Sequence, residues 1–329
     1  MLSRMSCARA VFGASQGLNA KVPSNLVPKN YVFRSFGRET RTRAGTRPTL
    51  KERLLAPAGP NAYGMGKGAL VGASAVGLGA LCFYGSGVKP GTLQESHMWP
   101  QYVKDRIKAT YSYIAGSLVV TAGSAAVVFR TPALLNLVAR NGWVSILVTM
   151  ALMIGSGMVV RGMPYSPGVG PKQLAWLVHT GIMGAVIAPM CFLGGPILTR
   201  AALYTAGVVG GLSTIAMCAP SGEFLSLRAP LAMGLGAVFA ASVASMFLPP
   251  TTALGAGLYS IALYGGLIVF GGFLLYDTQA IVKRAESHPP YAMQPYDPIN
   301  SAISVYLDIL NIFMRIAMIL SGAGGNRRK

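Results

Sequence analysis

The sequence predicts an all-α polytopic membrane protein, and its composition and hydropathy are the observations that indicate this class. Of the 329 residues, 52% are hydrophobic and only 11% are charged, and the mean hydropathy is +0.50. So few charges could not cover the surface of a soluble protein of this length. Eight apolar runs are each close to the roughly 20 residues that a helix needs to cross a bilayer. We therefore expect a lipid bilayer as the main partner.

The net charge of +19 would also suit a nucleic-acid-binding protein. The basic residues, however, concentrate in an N-terminal stretch that is poor in apolar residues and has no regular pattern, which is unlike a folded nucleic-acid interface. We expect no nucleic-acid partner.

The eight runs are separated by breaks that contain Pro, Gly and Arg, such as Gly194-Gly195-Pro196 and Pro249-Pro250. The expected spans are residues 68–87, 111–129, 143–160, 174–193, 201–219, 231–248, 254–276 and 299–320. The longest loop is expected at residues 278–297. Lys and Arg are almost equally frequent in alternating short loops, so the positive-inside rule does not fix the orientation.

The first run differs from the other seven. Residues 68–87 are rich in Gly and Ala, and Gly68 and Gly72 form a GxxxG spacing that permits close helix approach. A connector over residues 54–104 contains this run and separates it from the rest. We interpret it as an extra N-terminal transmembrane helix beside a seven-helix core over residues 105–322, which a basic tail follows at 323–329.

Residues 1–53 have the composition of an organelle transit peptide. They hold eleven Lys and Arg but only two acids, and they contain no continuous apolar segment of the kind that a secretory signal requires. Arg34 lies three positions before Gly37, a spacing typical of mitochondrial presequence cleavage, which predicts cleavage after Phe36. A disordered basic tail on the cytosolic side is the alternative.

Two carboxylates within apolar runs are the strongest functional signal. Asp308 lies in the middle of the last run and Asp277 closes the run before it, in a chain with only nine acids. An ionised Asp at the centre of a spanning helix costs roughly 2.5–3.5 kcal/mol, so such residues usually face the protein interior and have a partner. We expect the pair to lie on an ion or proton pathway.

The neighbours of Asp308 predict where the last helix lies. In a helix, Asp308, Asn311 and Arg315 share one face, which gives an apolar helix a polar stripe. A helix of this kind belongs in the centre of a bundle. Arg315 is two turns from Asp308, so we expect it to reach the interface or another helix. Asp297 is expected to cap the N-terminus of this helix.

Two adjacent carboxyl groups cannot both be ionised at low cost, so they share a proton or bind a cation. Ca²⁺ prefers oxygen ligands, and protonation and Ca²⁺ binding would compete at Asp277 and Asp308. This competition would produce cation/proton exchange. A hydrogen-bonded pair that only joins two helices is the alternative. His179, inside the fourth run, is interpreted as an interhelical hydrogen bonder, with a proton relay as its alternative.

An intramembrane aspartyl protease would also use two such residues. Tyr276-Asp277 fits one motif of that class, but the second motif requires Gly-x-Gly-Asp, and Val305-Tyr306-Leu307 precedes Asp308. The chain shows no Ser–His or metal-ligand arrangement in sequence. We therefore expect neither an enzyme nor a bound cofactor.

Tyr276-Asp277-Thr278-Gln279, together with the run from Tyr306 to Phe313, resembles the transmembrane Bax inhibitor motif family. The basic leader, the Gly-rich helix and the stretch Trp99–Arg106 are similar to its branch in the mitochondrial inner membrane. The resemblance implies a seven-helix fold with the last helix at its centre. It also implies that Asp277 and Asp308 form a pH-sensitive latch on a Ca²⁺ pathway. In bacterial relatives an Arg pairs with the two Asp residues, and Arg161 occupies a similar place, although the residues around it differ.

For function, the resemblance implies a Ca²⁺/H⁺ antiporter that supports mitochondrial calcium balance, cristae organisation and cytochrome c retention. Cytochrome c, inner-membrane quality-control or cristae proteins, and further copies of the chain are the partners that it suggests. A structural, anti-apoptotic protein that organises the membrane without transporting ions is the alternative. Ion selectivity and the direction of flux do not follow from the sequence.

Overall fold

The computed structural model describes residues 49–59, 62–85, 91–138 and 143–325. The predicted leader up to residue 48, with its cleavage position after Phe36, lies outside these ranges, as do tail residues 326–329.

The described chain is helical, and the only β-type pairing in it is an isolated bridge between Pro57 and Thr252. We number the helices of eight or more residues: α1 Gly64–Gly85, α2 Gln101–Arg130, α3 Trp143–Gly162, α4 Pro171–Ile187, α5 Gly195–Cys218, α6 Arg228–Phe247, α7 Ala253–Ser260, α8 Gly266–Ser287 and α9 Pro298–Gly325. A π-helical turn, Ile261–Gly265, connects α7 to α8. The shorter helical elements are Leu50–Leu55, Thr92–Glu95, Ser96–Met98, Pro132–Val138, Ala188–Leu193 and Glu223–Leu227.

Eight helical stretches of the described chain are long and apolar enough to cross a membrane, which confirms the predicted number. Each overlaps one of the expected runs. The seventh span combines α7, the π turn and α8 into Ala253–Ser287. The chain is therefore an all-helical, multi-pass membrane protein.

Two helices are longer than expected. Helix α2 begins at Gln101, ten residues before the expected span. Helix α8 continues to Ser287, so the loop expected at 278–297 is shorter and covers residues 288–297. The polar residues in these extensions lower the hydropathy, yet Gln, Lys, Arg and Glu favour helix almost as well as Leu does.

Helix α9 lies in the centre of the bundle, as predicted. It packs against α2, α5 and α8. Its Ile303 belongs to a buried cluster with Val160 of α3, and its Leu310 packs with Met183 of α4. Tyr306 is fully buried, and its hydroxyl lies 2.6 Å from Thr121 Oγ1 of α2. Five helices therefore surround α9.

Small and hydroxylated residues bring α2 and α4 together. Ser124 Oγ donates to Gly181 O at 2.7 Å, and Trp176 Nε1 donates to Ser117 Oγ at 2.8 Å. A Cβ on Gly184 would lie only 2.8 Å from Ser124 Cβ. Within a bilayer, helices associate through this kind of close approach and interhelical hydrogen bonding.

Helix α1 lies at the periphery, and none of its described side chains is buried. It contacts the core near its two ends. Tyr63, just before the helix, meets the ring of Tyr259 with centroids 6.3 Å apart, and Tyr84 meets Phe224 at 6.0 Å. Between them, Gly66 packs against Ser260 and Tyr264.

Candidate functional site

The two candidate carboxylates lie at the same depth because of the way α8 and α9 are joined. These helices pack against each other and are connected by the loop 288–297. Asp277 lies ten residues before the end of α8, and Asp308 lies ten residues after the start of α9. Ten helical residues span about 15 Å, which is about half of the roughly 30 Å hydrocarbon core. Both carboxylates therefore lie about 15 Å from the loop, at the same height along the two packed helices, which lets their side chains meet.

The Asp277 and Asp308 side chains are in hydrogen-bonding contact. They are only 7% and 5% exposed. A hydrogen bond between two carboxyl groups requires a proton on one of them, because a carboxylate can only accept. Among the residues that the structure describes, buried Asp308 Oδ2 has no hydrogen-bond partner. The arrangement therefore places two buried carboxyl groups side by side, and a direct hydrogen bond between them would need one of them to be protonated.

A cavity of about 680 Å³ adjoins this pair. Its walls come from α3, α4, α6, α8 and α9, and it is lined by all four residues that the sequence nominated. Those residues are Asp277, Asp308, Asn311 and Arg161. Most of the remaining wall is apolar, including Phe270 and Leu307. The few polar groups are thus gathered in one space between helices, which is open on the side of the exposed Ile154 and Met158.

Arg161 lies at the end of α3, on the wall of this cavity. It is close enough to Asp277 to act on its charge. Within the described residues, however, the only ion pair joins Lys172 to Asp297. Arg161 therefore acts on Asp277 through space, and the direct pairing that the resemblance implied is not formed in this structure.

Asn311, about one turn after Asp308 on α9, is bonded to its own helix and to Arg315. Its Nδ2 donates to Leu307 O at 2.9 Å, and its Oδ1 accepts from Arg315 Nη1 at 2.9 Å. Arg315 also donates from Nε to Ala262 O at 3.3 Å and stacks over Phe270 at 4.5 Å. Of the two places expected for Arg315, the contact with another helix is therefore confirmed.

The π turn explains how α9 can hold a buried Arg. A π turn changes the pairing of backbone groups, and the carbonyl of Ala262 within it accepts from Arg315. Gly266, the next residue after the turn, leaves room for the guanidinium, since a Cβ there would lie 2.8 Å from Arg315 Cζ. We call the contacts of Arg315 with Ala262 and Gly266 the Arg315 lock. Sequence reasoning missed it because a single π turn leaves the hydropathy of the run unchanged.

His179 forms an interhelical hydrogen bond, as predicted. Its Nδ1 lies 2.8 Å from Ser156 Oγ of α3. The ring is only 2% exposed and contributes to the cavity wall. Within the described part of the chain, its Nε2 has no hydrogen-bond partner. His179 thus adds a further proton-binding side chain to the same space.

The other polar motif residue beside Asp277 fixes the position of α8. Gln279 Nε2 donates to Ala216 O at 3.0 Å and to Pro220 O at 2.9 Å. Its Oε1 accepts from Phe224 N at 2.9 Å. Gln279 therefore ties α8 to the end of α5 and the turn after it, which positions Asp277, two residues earlier on the same helix.

Residues 103–326, more than half of the chain, match the family described as inhibitor of apoptosis-promoting Bax1. The chain belongs to the Bax inhibitor family. Within this family it is similar to the growth hormone-inducible transmembrane protein of Rattus norvegicus, with 54% identity over 93% of this chain and 91% of that protein.

More distant relatives match a smaller share of the chain. Bax inhibitor 1 of Rattus norvegicus is 27% identical over 72% of this chain and 93% of its own length. An uncharacterized membrane protein of Vibrio cholerae is 33% identical over 46% of this chain and 65% of its own length. No solved structure gives a significant match. The assignment to the Bax inhibitor family thus rests on sequence similarity.

Proposed function

We propose that this chain exchanges a cation for protons across a membrane, with Ca²⁺ as the cation, and that Asp277 and Asp308 form the site. The observation that carries the proposal is the buried contact of two carboxyl groups, on two helices long and apolar enough to span a membrane, beside a cavity. A role that only joins two helices would not need the adjoining cavity or the unpaired Oδ2 of Asp308.

The exchange follows from simple electrostatics. When the pair shares one proton, it carries one negative charge, which both side chains stabilise through the shared hydrogen bond, and the helices stay in contact. Loss of that proton leaves two negative charges side by side in a medium of low dielectric, so either the helices separate or a cation enters. A divalent cation would neutralise both charges. Protons and Ca²⁺ would therefore occupy the site in turn.

Ca²⁺ takes six to eight oxygen ligands, and the pair supplies only part of that number. No group of three or more His, Cys, Asp or Glu side chains occurs in the described chain. The remaining ligands would be water and neutral oxygens such as that of Ser304, which lines the same cavity. Such a site would hold Ca²⁺ briefly, as transport requires.

Proteoliposomes test the proposal directly. The full-length protein should carry Ca²⁺ into vesicles with an opposing movement of protons, followed by a Ca²⁺ dye and a pH dye together. Asp308→Asn preserves shape and hydrogen bonding but removes the charge, so its flux should fall to background. Asp105→Asn is the matched control, because Asp105 is exposed near the start of α2 and does not line the cavity.

The result also decides between the two functions. Equal flux from wild type and Asp308→Asn would reduce the pair to a structural hydrogen bond. A wild-type protein without any flux would favour the structural, anti-apoptotic function. In that case the cristae and cytochrome c roles would rest on protein partners, which co-purification would identify.

We infer the mitochondrial inner membrane as the location from the basic, acid-poor leader. Calcium balance, cristae organisation and cytochrome c retention are the roles proposed there. Deletion of residues 1–53 should abolish import into isolated mitochondria, whereas deletion of the tail 323–329 should not. Import of the protein without residues 1–53 would show that another segment contains the mitochondrial targeting signal.

A further inference from the structure

A second cavity, of about 530 Å³, lies at the loop end of the α8–α9 hairpin. It shares Arg161 and Ser304 with the carboxylate cavity. Its other walls come from the last turn of α8, the loop and the first turns of α9. Because it lies where these two spans end, it is at the level of the lipid headgroups.

Two unpaired guanidinium groups line this second cavity. Arg161 and Arg284 are both exposed. Neither side chain forms a hydrogen bond or ion pair with any residue in the described ranges, where the one ion pair is Lys172–Asp297. Both nevertheless act on the charge of Asp277. The site therefore presents two positive charges whose hydrogen-bond donors are available to a ligand.

The single acid in the cavity wall does not offset these charges. Asp297 is paired with the fully buried Lys172 at 2.5 Å, and its Oδ1 accepts from Asn300 N at 3.0 Å. This second bond is the predicted N-cap of α9, which is confirmed. Lys172 thus neutralises the charge of this carboxylate, and the net charge of the side chains that line the cavity is positive.

The carbonyl end of α8 would normally repel an anion, because a helix C-terminus carries partial negative charge. Here Arg106 of α2 donates to Ala285 O at 2.9 Å and to His288 O at 2.8 Å. Its guanidinium also lies over Tyr296 at 5.5 Å. Arg106 therefore cancels the negative end of α8 where that helix borders the cavity.

We propose that this cavity binds a phosphate-bearing anion, which Arg161 and Arg284 hold between them. Guanidinium groups bind phosphate through paired, charge-assisted hydrogen bonds, and basic pockets between transmembrane helices are suited to phospholipid headgroups. The hydroxyls of Ser287 and Ser304 lie in the same wall and can donate to the remaining oxygens.

Occupation of this site would act on the exchange proposed above, and this part of the inference rests on that proposed function. An anion held by both guanidiniums would tie the end of α3, at Arg161, to the last turn of α8, at Arg284. This bridge would restrain α8, the helix that carries Asp277, against the movement that opens the carboxylate pair to a cation. The bound anion therefore slows cation exchange.

A phosphate group could come from a lipid headgroup or from free phosphate, and the test separates these sources. The full-length protein is placed in nanodiscs of phosphatidylcholine alone, and inorganic phosphate is added in a calorimetric titration. In the second arm, nanodiscs with phosphatidylglycerol are analysed by native mass spectrometry for retained anionic lipid. Binding in the first arm identifies free phosphate, and binding in the second arm alone identifies a lipid headgroup.

Arg284→Gln is the test variant, because this exposed side chain can be replaced without disturbing the core. Loss of one charge-assisted contact should weaken binding by about tenfold or more. Lys283→Gln is the matched control, since it removes the same charge from the neighbouring exposed residue outside the cavity wall. No binding in either arm, or equal weakening by both substitutions, would overturn the proposed site.

The binding measurement needs no transport, so it decides the anion site even if the exchange function fails. Where exchange is present, the ligand should lower wild-type Ca²⁺ flux and should affect the Arg284→Gln protein much less. Flux that stays unchanged at saturating ligand would overturn the regulatory coupling while leaving the site in place.

Discussion

Helices α9 and α1 are both long and apolar enough to cross a membrane, but α9 is central and carries polar side chains, whereas α1 is peripheral and rich in glycine. Helix α9 is surrounded by five helices and carries Asp308, Asn311 and Arg315 along one face. Helix α1 lies outside, and a Cβ placed on Gly68 or Gly72 would meet no other atom within 4 Å.

The difference shows what each helix contributes. In α9, every polar residue of the stripe has a partner on the same helix or a neighbouring one. These specific contacts offset the cost of placing polar groups inside a membrane-spanning helix. In α1, most small residues have no partner within the protomer. Its Gly-rich face is thus available for contacts outside the protomer, whereas α9 contributes to the core and the candidate site.

The largest effect is expected from breaking the carboxylate pair. Raising the pH on the side that the pair faces should remove its shared proton and increase wild-type cation flux. Asp277→Asn should abolish this pH response as completely as Asp308→Asn does. The double substitution should be no worse than either single one, because the two residues act as a unit. Flux assays over a pH series would measure this, and additive losses would mean two independent sites.

The next effect concerns how α9 is anchored. Gly266→Ala should displace Arg315 from the π turn and destabilise the core by about 1–3 kcal/mol, as overpacking usually does. Thermal unfolding in detergent would detect this. Gly265→Ala is the control, because its Cβ would make only ordinary contacts, at 3.7 Å from Ile261 Cγ2. Equal stability of the two variants would argue against the lock.

A smaller effect is expected at the one glycine through which α1 packs on the core. Gly66→Leu should separate α1 from Ser260 and Tyr264 while the core remains folded. Cross-linking between Tyr63→Cys and Tyr259→Cys should then fall, since those rings meet in the wild-type protein. Gly68→Leu has open space around it and should leave cross-linking unchanged; a fall in both variants would show that the helix itself is disturbed.

The smallest effect on the protomer is expected from Gly72→Leu. This residue touches nothing within the protomer, so stability and flux should stay at wild-type values. If the Gly-rich face packs against another copy or another membrane protein, a large side chain would obstruct close approach. Native gels would then show a smaller complex. Unchanged migration would indicate that this face contacts only lipid.

The spans and the candidate pair could be predicted because each depends on a local property. Hydropathy alone locates apolar runs, and an acid such as Asp308 in such a run is conspicuous by its rarity. The polar stripe that places α9 in the centre also follows from spacing along one helix. These signals do not require knowledge of any other part of the chain.

The remaining features depend on residues far apart in sequence. Lys172 and Asp297 are 125 positions apart, and Arg106 reaches carbonyls 179 and 182 positions away. No local pattern pairs these groups. The extension of α8 beyond Asp277 was missed for another reason. Hydropathy shows where a segment stops being apolar, but it does not show whether the backbone remains helical beyond that point.

The equal distances from the loop to Asp277 and Asp308 have a consequence for how this chain can vary in length. One residue inserted between Asp277 and Ser287 would shift that carboxylate by about 1.5 Å and turn it by about 100° relative to its partner. The same insertion within 288–297 would leave both carboxylates level. The helical segments 277–287 and 298–308 must therefore keep equal lengths for the carboxylates to meet. The length of the loop between them can vary without separating the pair.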